Sequence, residues 1–222
     1  MAVGRHPLVA HEGRWHIALA VAVAGAVHYY FDWMWALPLW GVAMLVTLLF
    51  RDPPRTIPAD PLGIVCPADG RVVAIEETRD PYLDRPAKCV TVVTSVFSVY
   101  THRSPVEGKI MEAWYKRGGL LPRWGRTESE ADCNALWIQT DEGDDVVTVQ
   151  LAGPLARRIL CYKQPGERIG QGERYGYLRF GSRVDVYMPI TSRVTVTLGE
   201  KVNGGSDLIA FLVRSSQAAG GG

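Results

Sequence analysis

The sequence predicts a mainly β protein, a barrel or sandwich domain built with β-turn-β repeats and preceded by an apolar α-helical hairpin. Three observations carry this. Residues 15–50 are almost all apolar, interrupted by His16, His28, Asp32 and a Tyr pair. After Arg51 the chain turns charged and Pro-punctuated, in short segments that alternate apolar and polar residues as half-buried strands require. Finally, "GERIGQGERYGYL" from Gly166 is echoed by "GEKVNGGSDLIAF" from Gly199, with turn glycines matched at Gly172 and Gly205.

In chain order, residues 1–14 form an N-terminal tail and 15–50 the hairpin. A membrane-crossing helix needs about 20 apolar residues. The runs 15–31 and 33–50 are each just under that length and break around "YYFDWMWALP", where Tyr and Trp gather as they do at a membrane–water boundary. The hairpin therefore crosses twice or dips and returns. Arg5 and Arg14 before it, with Arg51 and Arg55 after it, assign both ends and the main domain to the cytoplasmic side of the plasma membrane. Residues 51–59 are a linker, 60–214 an all-β domain and 215–222 a flexible tail. Strands are expected at "GRVVAIEE", "KCVTVVTSVFSVYT", "GKIMEAWYK", "ALWIQT", "DVVTVQLA", "RILCYK", "RVDVYM" and "RVTVTL", with hairpin joints at "ADGR" and "DEGDD". The two G-E-(R/K)-(I/V) turns are of the kind found in biotinyl- and lipoyl-carrier-like barrels, so the repeat is read as carrier-like.

Lys and Arg number 24 against 23 Asp and Glu, a net charge of +1 that makes no case for a nucleic-acid surface. Cys66, Cys89, Cys133 and Cys161 are scattered without C-x-x-C or metal-ligand spacing, so reduced core cysteines are expected, with no metal and no disulfide framework.

One stretch breaks its own pattern. "YLRFGSRVDVYM" reads as a single strand from Tyr177 to Met188, yet Gly181 and Ser182 stand at its centre, where a branched apolar residue belongs. A serine hydroxyl beside its own upstream carbonyl can attack it, given a backbone that glycine lets distort and groups that steady the oxyanion and take the proton. The resulting ester can eliminate, cutting the chain and leaving dehydroalanine, which hydrolyses to a pyruvoyl group. That carbonyl forms a Schiff base with an amine and accepts the electron pair freed when a neighbouring carboxylate leaves as carbon dioxide.

The motifs "RFGSRVDVYMP", "AGPLARRILCY", "CPADGRVVAIEE", "FRDPPRTIP" and "SVYTHRSPVEGKI" together resemble the short, membrane-anchored phosphatidylserine decarboxylase proenzymes, in order from the hairpin to about residue 212. The resemblance implies self-cleavage between Gly181 and Ser182 into a β chain of residues 1–181 and an α chain starting at Ser182, which becomes the pyruvoyl cofactor. It implies phosphatidylserine as substrate, phosphatidylethanolamine and carbon dioxide as products, and an acidic residue and a histidine that assist. Asp69 in "PADG" matches the acidic position and also suits a turn. The histidine of a "VHVNRSP"-like segment is replaced by Tyr100, and His102 follows two residues on, facing the same side if the segment is a strand. His102 is the one histidine after residue 28. A second departure is "SEADCNAL", where Glu130 and Asn134 alone keep the family's residue type. Arg157 and Arg158 are candidates for the substrate phosphate or carboxylate. Partners are then the membrane phospholipid and the two chains of the processed proenzyme, and the oligomeric state stays open. The competing reading is a membrane-tethered, non-catalytic carrier-like module that binds partners.

Overall fold

The computed structural model describes residues 10–31, 33–58, 60–95, 98–118, 131–153, 159–178 and 181–213. Two helices, α1 (Arg14–Tyr30) and α2 (Trp33–Leu49), open the chain. The strands that follow are β1 (Gly63–Val65), β2 (Gly70–Asp80), β3 (Arg85–Val93), β4 (Thr101–Arg103), β5 (Gly108–Lys116), β6 (Cys133–Gln139) and β7 (Asp145–Ala152). Then come β8 (Leu160–Cys161), β9 (Arg168–Ile169), β10 (Arg174–Tyr177), β11 (Ser182–Pro189), β12 (Arg193–Val194), β13 (Lys201–Val202) and β14 (Leu208–Phe211).

The main body is an eight-stranded antiparallel sheet, ordered β13-β2-β3-β11-β7-β6-β5-β9, with two three-stranded sheets, β1-β14-β12 and β4-β10-β8. Alternation sorts the faces. Val186 and Met188 of β11 join Val72, Val90, Val92, Ile110, Leu136 and Ile138 in one buried cluster, which also takes Ile64 and Ile209 from one small sheet and Tyr175 from the other. Both small sheets therefore pack into the face toward which the large one curls. Tyr187, Val147 and Val149 point the other way, against Tyr82 and Trp114.

The strand order reads the same from both ends, and the bonds confirm an internal two-fold correspondence. Val65 N–H donates to the Pro105 carbonyl (2.9 Å), and Arg103 N–H returns the bond to Pro67 (2.8 Å). The ladder bulges between Val72 and Ala74 in β2, and between Ile110 and Glu112 in β5. Among the described residues the six left-handed glycines fall into three pairs: Gly166 with Gly199, Gly172 with Gly205, and Gly143 with Gly181. One half is β4 to β10. The other is β1 to β3 continued by β11 to β14, so the first half interrupts the second between β3 and β11.

Several sequence expectations are corrected. "YLRFGSRVDVYM" is not one strand: β10 ends at Tyr177 and β11 starts at Ser182, because Gly181 adopts φ +70° and breaks the extended path. "KCVTVVTSVFSVYT" also splits into β3 and β4, and "RILCYK" and "RVTVTL" shrink to two-residue strands. "DEGDD" is a hairpin joint, between β6 and β7, but "ADGR" links strands of different sheets.

The helices pack on each other and leave large apolar side chains exposed, with Trp15 at 85% and Tyr29 at 81%. Among the described residues no helix is long and apolar enough to cross a membrane. The base of the pair is fastened to the β body. Ala10 N–H donates to the Phe50 carbonyl (2.9 Å), and Ala10 and Phe50 pack with Tyr100 and Tyr177. Beside them, Arg174 grips Glu12 (2.7 Å) and Arg103 grips Asp52 (3.0 Å), the latter pair almost fully buried.

Candidate active site

Ser182 opens β11 as its first residue, two before Val184, so its side chain shares the inward face. It is buried, and its partners are fixed by the last rung of the β3–β11 ladder. Arg183 pairs with Val93, so the next rung brings Ser182 opposite Thr94. Thr94 N–H donates to the Ser182 carbonyl (2.8 Å). In a regular antiparallel rung Ser182 N–H would return the bond to the Thr94 carbonyl. It donates instead to the Thr94 hydroxyl oxygen (2.7 Å). That oxygen also lies 2.8 Å from Ser182 Oγ.

The third group is His102, from the middle of β4. Its Nε2 lies 3.5 Å from Ser182 Oγ, and the ring is fully buried. Burial alone pushes its pKa down from 6.5 to about 3, so the imidazole is neutral. A neutral ring has one N–H, and its neighbour decides which nitrogen carries it. The Gln150 amide nitrogen is 2.8 Å from Nδ1, and the Asn134 amide donates to Gln150 Oε1 (2.9 Å). The amide NH2 can only donate, so Nδ1 accepts and Nε2 carries the hydrogen toward Ser182. Every donor in the row Asn134, Gln150, His102 points toward the serine.

Space for this row comes from Gly176, which pairs with His102 in β10. A Cβ there would meet Gln150 Nε2 at 2.8 Å and the Leu160 carbonyl at 2.9 Å. Tyr175 beside it stacks edge-on to His102, with centroids 6.5 Å apart, and its hydroxyl meets that of Thr148 (3.1 Å).

Of the residues singled out from sequence, the structure brings Gly181, Ser182 and His102 together. Asp69 sits in the turn leading to β2, where it bonds Arg55 (2.5 Å) and accepts from Gly204 N–H (2.7 Å). The position beside His102 Nδ1 belongs to Gln150. Tyr100 lies just before β4, its ring 6.0 Å from that of Tyr177 in the cluster under the helices. Arg157, Arg158 and Glu130 lie outside the described residues. Sequence reasoning missed Thr94, Gln150 and Gly176. The available signal for Gln150 was its place in "DVVTVQLA": Val146, Thr148 and Gln150 share the inward face, so two polar residues point into a core.

The sequence pattern of the family Phosphatidylserine decarboxylase matches residues 42–210. A phosphatidylserine decarboxylase proenzyme from Nitrosomonas europaea is 48% identical over 198 residues, covering 89% of this chain and 92% of the relative. One from Nitrosomonas eutropha is 48% identical over 206 residues, covering 92% and 95%. One from Aromatoleum aromaticum is 47% identical over 208 residues, covering 93% and 97%.

Proposed function

The chain belongs to the phosphatidylserine decarboxylase family and decarboxylates phosphatidylserine to phosphatidylethanolamine and carbon dioxide, and we propose that it does so with a pyruvoyl group made from its own Ser182. The carrying observation is the junction itself: a left-handed Gly181 followed by a buried serine whose hydroxyl meets Thr94 and faces His102. The surroundings fit such a group. Thr94 N–H already holds the carbonyl oxygen of residue 182, and the Thr94 hydroxyl lies against the nitrogen that a keto oxygen would replace.

A pyruvoyl group held there beside Thr94 and His102 would supply an electron sink for a substrate amine and its departing carboxylate. The chain's own residues do the rest. His102 holds a proton on Nε2 facing residue 182 and is assigned the proton transfer there, with Tyr100 as second candidate. His102 is fully buried, with Tyr175 packed edge-on against it, and this keeps water from that proton. Asp69 acts by fixing the turn whose Pro67 carbonyl accepts the Arg103 N–H, which sets β4 and hence His102. Arg157 and Arg158 are assigned to the substrate phosphate or carboxylate on the bidentate chemistry of guanidinium alone.

The domain plan follows the same reading: tail 1–14, membrane hairpin 15–50, linker 51–59, catalytic domain 60–214 and tail 215–222, with cleavage giving chains 1–181 and 182–222. Each helix has 17 residues, about 25 Å of length against a hydrocarbon core of about 30 Å. This favours a hairpin that dips into the cytoplasmic leaflet of the plasma membrane and returns, keeping the β body at the headgroup plane. The echoed turns around Gly166 and Gly199 we read as carrier-like units. The non-catalytic binding module is set aside with the family assignment.

Intact mass spectrometry of detergent-purified protein tests the proposal. Parent should give two chains split after Gly181, the second with a blocked start, and Ser182→Ala should give one inactive chain. A single chain with an ordinary serine at 182 that still releases carbon dioxide from phosphatidylserine vesicles would sink it.

A further inference from the structure

Self-cleavage at Gly181 requires a proton to leave Ser182 Oγ and another to reach the Ser182 nitrogen. His102 is turned the wrong way to receive the first, since its Nε2 already carries a hydrogen in the tautomer that Gln150 imposes. Among the described residues the remaining hydrogen-bonding neighbour of Oγ is the Thr94 hydroxyl at 2.8 Å, and the same oxygen stands 2.7 Å from the nitrogen. One atom thus touches both ends of the transfer.

We propose that Thr94 is a catalytic residue of maturation, its hydroxyl carrying the proton from Ser182 Oγ to the Ser182 nitrogen during the acyl shift. As Oγ bonds to the Gly181 carbonyl carbon, its hydrogen passes to Thr94 Oγ1. The carbon becomes tetrahedral, so the nitrogen loses its conjugation and gains a basic lone pair. Thr94 then gives its original hydrogen to that nitrogen while the C–N bond breaks. The products are the Gly181 ester of Ser182 Oγ and a free amine, with no net proton uptake and no co-reactant. The proposal rests on the reading that Ser182 is the nucleophile.

The fold supplies its own control. In the other half Thr140 N–H donates to the Asp144 carbonyl (2.8 Å), and Asp144 N–H donates to the Thr140 hydroxyl (3.1 Å), after the left-handed Gly143. Thr140 and Thr94 hold the same structural bond, but only Thr94 faces a hydroxyl nucleophile.

The test is a cell-free synthesis and chase in phospholipid vesicles, following chain cutting on denaturing gels. Thr94→Ser should cut within about threefold of parent, and Thr94→Val about 100-fold more slowly. Thr140→Val, which removes the matching bond, should cut at the parental rate. Hydroxylamine, which cleaves esters, should not speed cutting of the Thr94→Val chain after Gly181, because formation of the ester is the slowed step. Thr94→Val cutting at the parental rate, Thr140→Val slowing it equally, or hydroxylamine restoring the parental rate to the Thr94→Val chain would each overturn the proposal. Should Thr94→Val fail to resist trypsin as parent does, Thr94→Ala decides, and cutting at the parental rate there overturns it too. Parent and Ser182→Ala both staying whole would instead overturn the nucleophile assignment.

Discussion

The buried His102 makes an acid-stability experiment unusually direct. Its ring is neutral in the folded protein down to about pH 3, against 6.5 for an ordinary imidazole. Below 6.5 the unfolded chain takes up a proton that the folded one refuses, and linkage then favours unfolding. The stability from keeping this ring neutral is therefore fully present above pH 6.5 and is lost progressively as pH falls toward 3. At pH 4.5 the loss is about 2.7 kcal/mol, from about 1.36 kcal/mol per pH unit over two units. Urea unfolding in detergent measures it, using Ser182→Ala so that the chain stays whole, with and without His102→Gln. Contributions from groups other than His102, such as Glu12 held low by Arg174, are common to both chains and cancel. The His102-bearing chain should lose about 2.7 kcal/mol more than its partner between pH 7.5 and 4.5. Equal losses would mean that the folded ring accepts a proton, and the neutral-tautomer argument would fail.

Other predictions follow from the same geometry. Gln150→Leu strands His102 Nδ1 in the core, at about 1–3 kcal/mol for the unpaired group; a denaturation midpoint close to parent would refute the relay. Asp52→Ala leaves the Arg103 guanidinium buried and unpaired, costing about 3–5 kcal/mol, and early tryptic release of the helical pair should accompany the loss. Asp144→Ser places a Gly-Ser junction beside Thr140, yet that turn is half-exposed where Ser182 is buried and water competes there for the hydroxyl proton, so mass spectrometry should find no second cut.

Much of the fold was legible because alternation is local. "DVVTVQLA" carries its inward and outward faces in its own residues, and "DEGDD" announces its turn, whereas "GRVVAIEE" hides a bulge that puts Val72 and Ile75 on one face. The failures came where a strand's end is set by distant pairing. Nothing within "KCVTVVTSVFSVYT" says that the ladder stops at Val93, since Thr94 and the branched residues beyond it suit a strand equally well. Its end is decided by Ser182, whose N–H turns to the Thr94 side chain. The site was legible to the same degree. Gly181-Ser182 betrayed itself by interrupting a pattern. Gln150 reaches His102 only because β7 and β4 belong to different sheets folded together, and an acidic partner at Asp69 was the natural expectation from a resemblance in sequence alone.

The two-fold correspondence explains how the junction we propose to be scissile arises without special architecture. In the β6–β7 hairpin, a left-handed glycine followed by a residue whose N–H is caught by a threonine hydroxyl closes an ordinary tight turn, Thr140 to Asp144. The same closure joins β3 to β11, but there the chain leaves at Thr94 and returns at Gly181 after building the other half of the fold. The glycine, the threonine and their bond are inherited from turn-making. On that proposal reactivity enters through a hydroxyl at 182 where its counterpart has a carboxylate, in a junction that is buried where its counterpart is half-exposed. The distortion that self-cleavage needs is thus the stock conformation of a hairpin glycine, and the sheet on either side holds it in register while the bond between Gly181 and Ser182 is exchanged.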